Sequence, residues 1–178
     1  MHPGFFCSIL VPNPSIENTM KKYIYSSSLL ISSLFTFSAT KAQDVIRQQP
    51  CSNLSITKQA DSIKHELANL GFIIVKEASM TMESDYEMPV IVPLTEGSWY
   101  QFVFIGDISS KLYEVRMFDW NEKQVVYQKK MWGDVDGNVI SYSYIPQFSE
   151  YHMIKPLQVN KKKKNELCGY VMLLKKVR

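Results

Sequence analysis

From Ser55 onward the hydrophobic period of the chain changes once, and that change predicts the fold. In "SITKQADSIKHELANLGF" the apolar residues Ile56, Ala60, Ile63, Leu67 and Leu70 recur at steps of three and four. That spacing lines one face of a helix. Ser55 or Thr57 is placed to cap its start, and Gly71 to end it in the left-handed conformation that glycine tolerates. Lys58, Asp61, Lys64 and Glu66 take the side turned to water.

After Gly71 the pattern reads as strand and turn. Apolar or β-branched runs occupy Phe72–Met80, Met88–Leu94, Ser98–Ile105, Leu112–Asp119, Gln124–Lys129, Val139–Ile145, Glu150–Val159 and Leu167–Leu174. Turn formers separate them at Glu96-Gly97, Gly106-Asp107, Asn121-Glu122, Asp136-Gly137 and Pro146. In the fourth run Tyr113, Val115 and Met117 alternate with Glu114 and Arg116, as a half-buried strand requires. Seven or eight short strands at this spacing predict an antiparallel β-sandwich or barrel preceded by one amphipathic helix. The alternating helices of a parallel α/β sheet are missing from the pattern.

The run "EGSWYQFVFIGD" is apolar on both faces. Alternation sends Tyr100, Phe102 and Phe104 one way and Trp99, Gln101, Val103 and Ile105 the other, which predicts a central, covered strand. Trp99 shares its face with Gln101, so a sugar or peptide platform at these two residues is the alternative. Trp120 belongs to the turn Asp119–Glu122, where it is placed to cap a sheet edge and joins them as a ligand-binding candidate.

The N-terminal part obeys different rules. Lys21 and Lys22 are followed by fifteen uncharged, largely apolar residues, Tyr23 to Phe37, and then by Thr40-Lys41-Ala42. This is the pattern of a secretory signal peptide over 20–42, cleaved before Gln43. Its apolar run is shorter than the roughly 20 residues that span a bilayer. Residues 1–19 lack periodicity, and Met20 reads as the start of translation. Residues 43–54 are a polar lead-in and 55–178 the helix-plus-sandwich domain. The expected location is periplasmic or secreted, with no transmembrane span after cleavage.

Cleavage would leave 136 residues, one domain, and two cysteines, Cys51 and Cys168. In an oxidising compartment these are expected to pair, tying the start of the domain to its last strand; two unpaired thiols are the alternative. No Cys-x-x-Cys motif points to thiol redox chemistry. The net charge of +3 is too small to suggest nucleic acid. Basic residues gather late: Lys161 to Arg178 holds seven against one acidic residue. The run Lys161, Lys162, Lys163 and Lys164 reads as a solvated hairpin loop or as a dock for an acidic partner.

Candidate chemistry is sparse. Asp134, Asp136 and Asn138 have the alternate spacing of a calcium loop, but Val139 and Ile145 stand where an EF-hand needs glycine and an acid. His65 follows Asp61 by one helical turn, and His152 lies two residues from Glu150; neither pair is a full ligand set. Glu83, Asp85 and Glu87 alternate in an acidic link. The chain has no Gly-x-Ser-x-Gly elbow, His-Glu-x-x-His motif or glycine-rich phosphate loop.

Taken together, Gly97, Tyr100, Phe102, Phe104, Gly106, Tyr113, Val115 and Asp119 resemble the front half of the bacterial pre-peptidase C-terminal domain. "SEYHM" (Ser149–Met153) and "CGYVML" (Cys168–Leu173) resemble its closing strands. The resemblance implies a jelly-roll-type β-sandwich of the kind appended to secreted enzymes for substrate or surface binding. The acidic pair of many members falls at Lys111 and Glu114, of which only Glu114 is acidic. The expected function is an exported, non-catalytic binding or envelope-accessory module with no cofactor other than calcium. Its partner would be a glycan, a peptide or an envelope protein. The alternatives are a small hydrolase using Glu83 or Asp134, and a structural subunit docking through the basic C-terminal region.

Overall fold

The computed structural model describes residues 49–134 and 137–177. They fall in one of two units of the chain, Arg47–Arg178; the other, Met1–Ile46, lies outside the described residues, and with it the signal peptide expected at 20–42.

Helix α1 (Leu54–Asn69) is capped by Asn53, whose Oδ1 accepts from the N–H groups of Ser55 and Ile56 at 3.0 and 3.3 Å. The cap thus lies ahead of both expected residues, because an asparagine in extended backbone reaches two orphan N–H groups at once. Gly71, at φ 84°, ends the helix as expected. Leu70 does not join the buried face; it is the C-cap residue and is 61% exposed.

The eight strands are β1 (Phe72–Met82), β2 (Val90–Leu94), β3 (Tyr100–Ile105), β4 (Leu112–Phe118), β5 (Gln124–Met131), β6 (Val139–Tyr144), β7 (Glu150–Val159) and β8 (Leu167–Lys176). They form two four-stranded antiparallel sheets, β1-β8-β3-β6 and β2-β7-β4-β5. The chain alternates between the sheets at every step except β4 to β5. That is jelly-roll order, and the described residues form a β-sandwich with one helix. The order corrects the hairpin expected at the lysine loop and settles where the turn after β5 leads. The lysine loop after β7 and the turn after β5 both cross from one sheet to the other, and among the described residues only β4–β5 is a hairpin between neighbours.

Between the sheets lie Phe102, Phe104, Tyr113, Val115, Met117, Ile140 and Ile154. Val103 and Ile105 point the other way, into a second cluster with Ile56, Ala60, Met172 and Leu174 beneath the helix. So β3 is covered on both faces, one by a sheet and one by α1, as its doubly apolar pattern predicts. Burying Ile56 there contributes about 2 kcal/mol by area.

Among the described residues no helix covers the outer face of the second sheet. A ladder of ion pairs crosses it instead, running Lys155–Glu87–Arg116–Glu114–Lys129 at 3.3, 3.2, 3.1 and 3.5 Å. Glu87, expected on an acidic link, is a rung of that ladder.

Candidate functional site

The two ends of the sandwich are built differently. At one end β3 leaves through Gly106, where an added Cβ would lie 2.5 Å from the Tyr113 ring, so only glycine fits. Next, Asp107 accepts from the N–H and hydroxyl of Ser109 at 3.0 and 2.7 Å, and from the N–H of Cys168 at 3.2 Å. Burial alone would raise its carboxyl pKa. Those hydrogen bonds and the charge of Lys163 outweigh burial and hold the group below its ordinary value.

Gln158 completes this end. Its Oε1 accepts from Asp107 N–H and Ser110 Oγ at 2.8 and 3.0 Å, and its Nε2 donates to Cys168 O at 3.2 Å. Tyr113 donates to the carbonyls of Asp107 and Ser110, and burial and the Asp107 charge push its phenol up to about 12. The expected Cys51–Cys168 disulfide is formed here, with Cα atoms 5.7 Å apart, well inside bridging range. These buried polar groups have partners and the cluster is closed.

At the other end the sheets part. Period-2 alternation turns Tyr144 on β6 inward from the first sheet, and Glu150 and His152 on β7 inward from the second. They meet across the gap. Tyr144 Oη lies 3.1 Å from His152 Nε2, and Glu150 Oε1 lies 3.7 Å from the same nitrogen. His152 is 1% exposed, and its Nδ1 has no hydrogen-bond partner among the described residues. Burial, then the charges of Glu150 and Asp119, raise the Tyr144 phenol pKa, so it stays protonated.

Above this floor opens a groove of about 550 Å³. The β4–β5 hairpin forms one wall with Asp119, Asn121 and Gln124; the β6–β7 loop forms the other with Ile145, Gln147 and Phe148. Both walls are fixed by local bonds. Asp119 Oδ1 accepts from the N–H groups of Asn121 and Lys123, both at 2.9 Å. On the opposite wall Pro146 O accepts from Gly97 N–H, and Ser149 Oγ from Glu96 N–H, each at 3.0 Å. Ile145 and Phe148 are 57% and 65% exposed. One residue beyond Asp119 and Glu150, on the outer side of the rim, Trp120 and Tyr151 form a ring pair with centroids 6.4 Å apart. A second hollow, about 410 Å³, lies beside α1 between Gln59, Ile63 and Val139.

The structure scatters the residues singled out from sequence. Trp99 precedes β3 rather than belonging to it; it meets Phe72 edge-on at 5.8 Å and has Lys176 Nζ 4.4 Å above its ring. Gln101 is held by Ser141 and Ser143 at 2.7 and 2.6 Å. Trp120 sits on the other sheet's hairpin, away from Trp99 and Gln101. Asp134 accepts from Met131 N–H through Oδ2, while Asn138 exchanges hydrogen bonds with Gln59; Asp136 lies outside the described residues. Among the described residues no three His, Cys, Asp or Glu side chains gather as a metal would need. Lys161, Lys162, Lys163 and Lys164 are exposed, with the N–H groups of Lys162 and Lys163 donating to Asn160 Oδ1 at 2.9 and 3.0 Å. Glu83 and Asp134 are exposed and lie outside the strands. His65 is exposed and contacts Asn69.

Sequence reasoning noticed His152 beside Glu150 but missed Tyr144. Alternation placed Glu150 and His152 on one face; the partner comes from another sheet, which no local pattern reports.

No family model matches the chain, and no curated protein matches it. Among solved structures it is similar to a CBM4 chain at 13% identity, over 59% of this chain and 77% of that chain, with a TM-score of 0.35. A Glycosylation Associate Protein complex from Streptococcus agalactiae aligns at 11% identity over 62% of this chain and 41% of that chain, with a TM-score of 0.33. An arabinose-bound α-L-arabinofuranosidase aligns at 7% identity over 61% of this chain and 24% of that chain, also at 0.33. The fold assignment rests on the strand order and not on these likenesses.

Proposed function

We propose that the chain is an exported, non-catalytic binding module that holds a glycan in the groove between the β4–β5 hairpin and the β6–β7 loop. One observation carries this reading: a fixed, open groove whose walls combine exposed apolar side chains with amide, hydroxyl and carboxylate groups. Sugars present apolar C–H faces and a ring of hydroxyls, and such a mixed lining answers both. Trp120 and Tyr151, at 70% and 55% exposure, extend the apolar surface over the rim.

The Cys51–Cys168 bridge fits an oxidising, periplasmic or secreted setting. Among the described residues no helix is long and apolar enough to cross a membrane. The jelly-roll sandwich also agrees with the resemblance to the pre-peptidase C-terminal domain, a kinship that stands as part of this proposal.

Affinity electrophoresis through gels containing soluble polysaccharides tests the reading. Retardation in at least one polymer, reduced by Phe148→Ala, is the expected result. Migration unchanged by every polymer would remove the glycan from the proposal.

A further inference from the structure

The imidazole of His152 is buried behind Tyr144, which lines the groove, with one nitrogen engaged and the other alone. Nε2 faces Tyr144 Oη at 3.1 Å, while Nδ1 is buried without a partner among the described residues. A neutral imidazole carries one N–H and one lone pair, and the hydrogen bonds decide which nitrogen has which. An N–H at Nδ1 would be a buried donor with no acceptor, the rarer and costlier kind of orphan. The proton therefore belongs on Nε2.

From Nε2 the N–H has one acceptor in range. Glu150 Oε1, at 3.7 Å, is beyond hydrogen-bond distance, so the bond goes to Tyr144 Oη. The tyrosine's own O–H must then donate elsewhere. Tyr144 Oη makes no other hydrogen bond among the described residues, and the side chain lines the groove.

We propose that His152 is a positioning residue that turns the Tyr144 hydroxyl into a fixed donor to the ligand, and that the groove selects an uncharged glycan. The inference rests on the glycan reading above and names the class of glycan. An oxygen of the sugar accepts from Tyr144. Glu150 and Asp119 accept from sugar hydroxyls, and among the described residues neither is paired with a lysine or arginine. Lys123 is the single cation among the lining residues, set against those two carboxylates. A uronate or sulfate would meet net negative charge, whereas a neutral polyol would not.

Two measurements test this. Long-range proton–nitrogen correlation spectra of the ¹⁵N-labelled protein report the His152 tautomer without any variant. A protonated Nε2 is expected, and a protonated Nδ1 overturns the proposal. Affinity electrophoresis then compares neutral β-glucan, xylan and mannan with polygalacturonate. Retardation by a neutral polymer and none by polygalacturonate is expected. Tyr144→Phe should weaken binding about tenfold, the worth of one hydrogen bond to a ligand. His152→Gln, whose amide offers an N–H near the place of Nε2, should keep more binding than His152→Ala. Equal retardation by polygalacturonate, or wild-type binding by Tyr144→Phe, overturns the inference and leaves glycan binding standing. Retardation by polygalacturonate alone does the same. No retardation by any polymer overturns the glycan reading and this inference with it.

Discussion

The two ends of the sandwich hold similar chemistry in opposite states. Around Asp107 and Gln158, buried carboxylate, amide, hydroxyl and phenol groups all find partners within the chain. Around Tyr144 and His152, an imidazole nitrogen finds none and a phenol uses half its capacity, facing an open groove. A polar cluster closed on itself fixes the fold; one left incomplete beside solvent has capacity for something else. Substitutions should therefore separate the ends, costing stability at the first and binding at the second.

The largest effect is expected from the disulfide. Cys51 and Cys168 are 117 positions apart, and a loop of that length gives a cross-link worth about 5 kcal/mol in the chain-entropy model. Urea unfolding of Cys51→Ser should show a loss of that order, and reduction of the wild type should match it. A loss under about 1 kcal/mol would mean that the polar cluster holds this end without the bridge.

Gln158→Ala comes next. It strands the Asp107 N–H, the Ser110 hydroxyl and the Cys168 carbonyl in one buried place. Leaving such groups without partners costs about 3 kcal/mol in all. Thermal unfolding that matches the wild type would show that the cluster is not closed.

Asp107→Asn should act through pH. The folded-state pKa is depressed, so the carboxylate contributes stability above its ordinary value of 3.8, and that contribution is lost as pH falls through the lower folded value. The variant should unfold with a flatter acid limb than the wild type in a pH series of melts. Parallel limbs would assign the acid sensitivity to other groups, Glu77 first. Its pKa is also depressed, mainly by the Tyr170 hydroxyl.

Much of this fold was legible because the sequence obeys local rules strictly. Apolar and β-branched runs between turn formers located the eight described strands, with β7 matched at both bounds, and the double-sided apolar pattern of β3 foretold that both its faces are covered. The Cys51–Cys168 pairing followed from counting thiols. Errors arose where the outcome depends on which sheet a strand joins. The Lys161–Lys164 loop looks like a hairpin locally, yet β7 and β8 never pair. Trp120 was a separate ligand-binding candidate from Trp99 and Gln101, and the sequence could not tell that it follows a strand of the other sheet. Tyr144 gave no signal at all: a tyrosine in a strand is ordinary, and only the cross-sheet approach of His152 distinguishes it.

The smallest stability effect, and the sharpest contrast with Gln158, belongs to Trp120→Ala. Its ring is 70% exposed and touches Tyr151 on the rim, so little apolar area returns to water when it is removed. The hairpin turn beneath it is held by Asp119 Oδ1 and does not need the ring. The thermal midpoint should move by no more than about 2 °C, as for an exposed site worth roughly 0.5 kcal/mol. Retardation in a polysaccharide gel should fall in the same variant, because a displayed ring adds contact only when something lies on it. A variant that melts many degrees lower would make Trp120 a brace for the hairpin. One that keeps both its midpoint and its gel retardation would confine binding to the groove, leaving the rim outside the site.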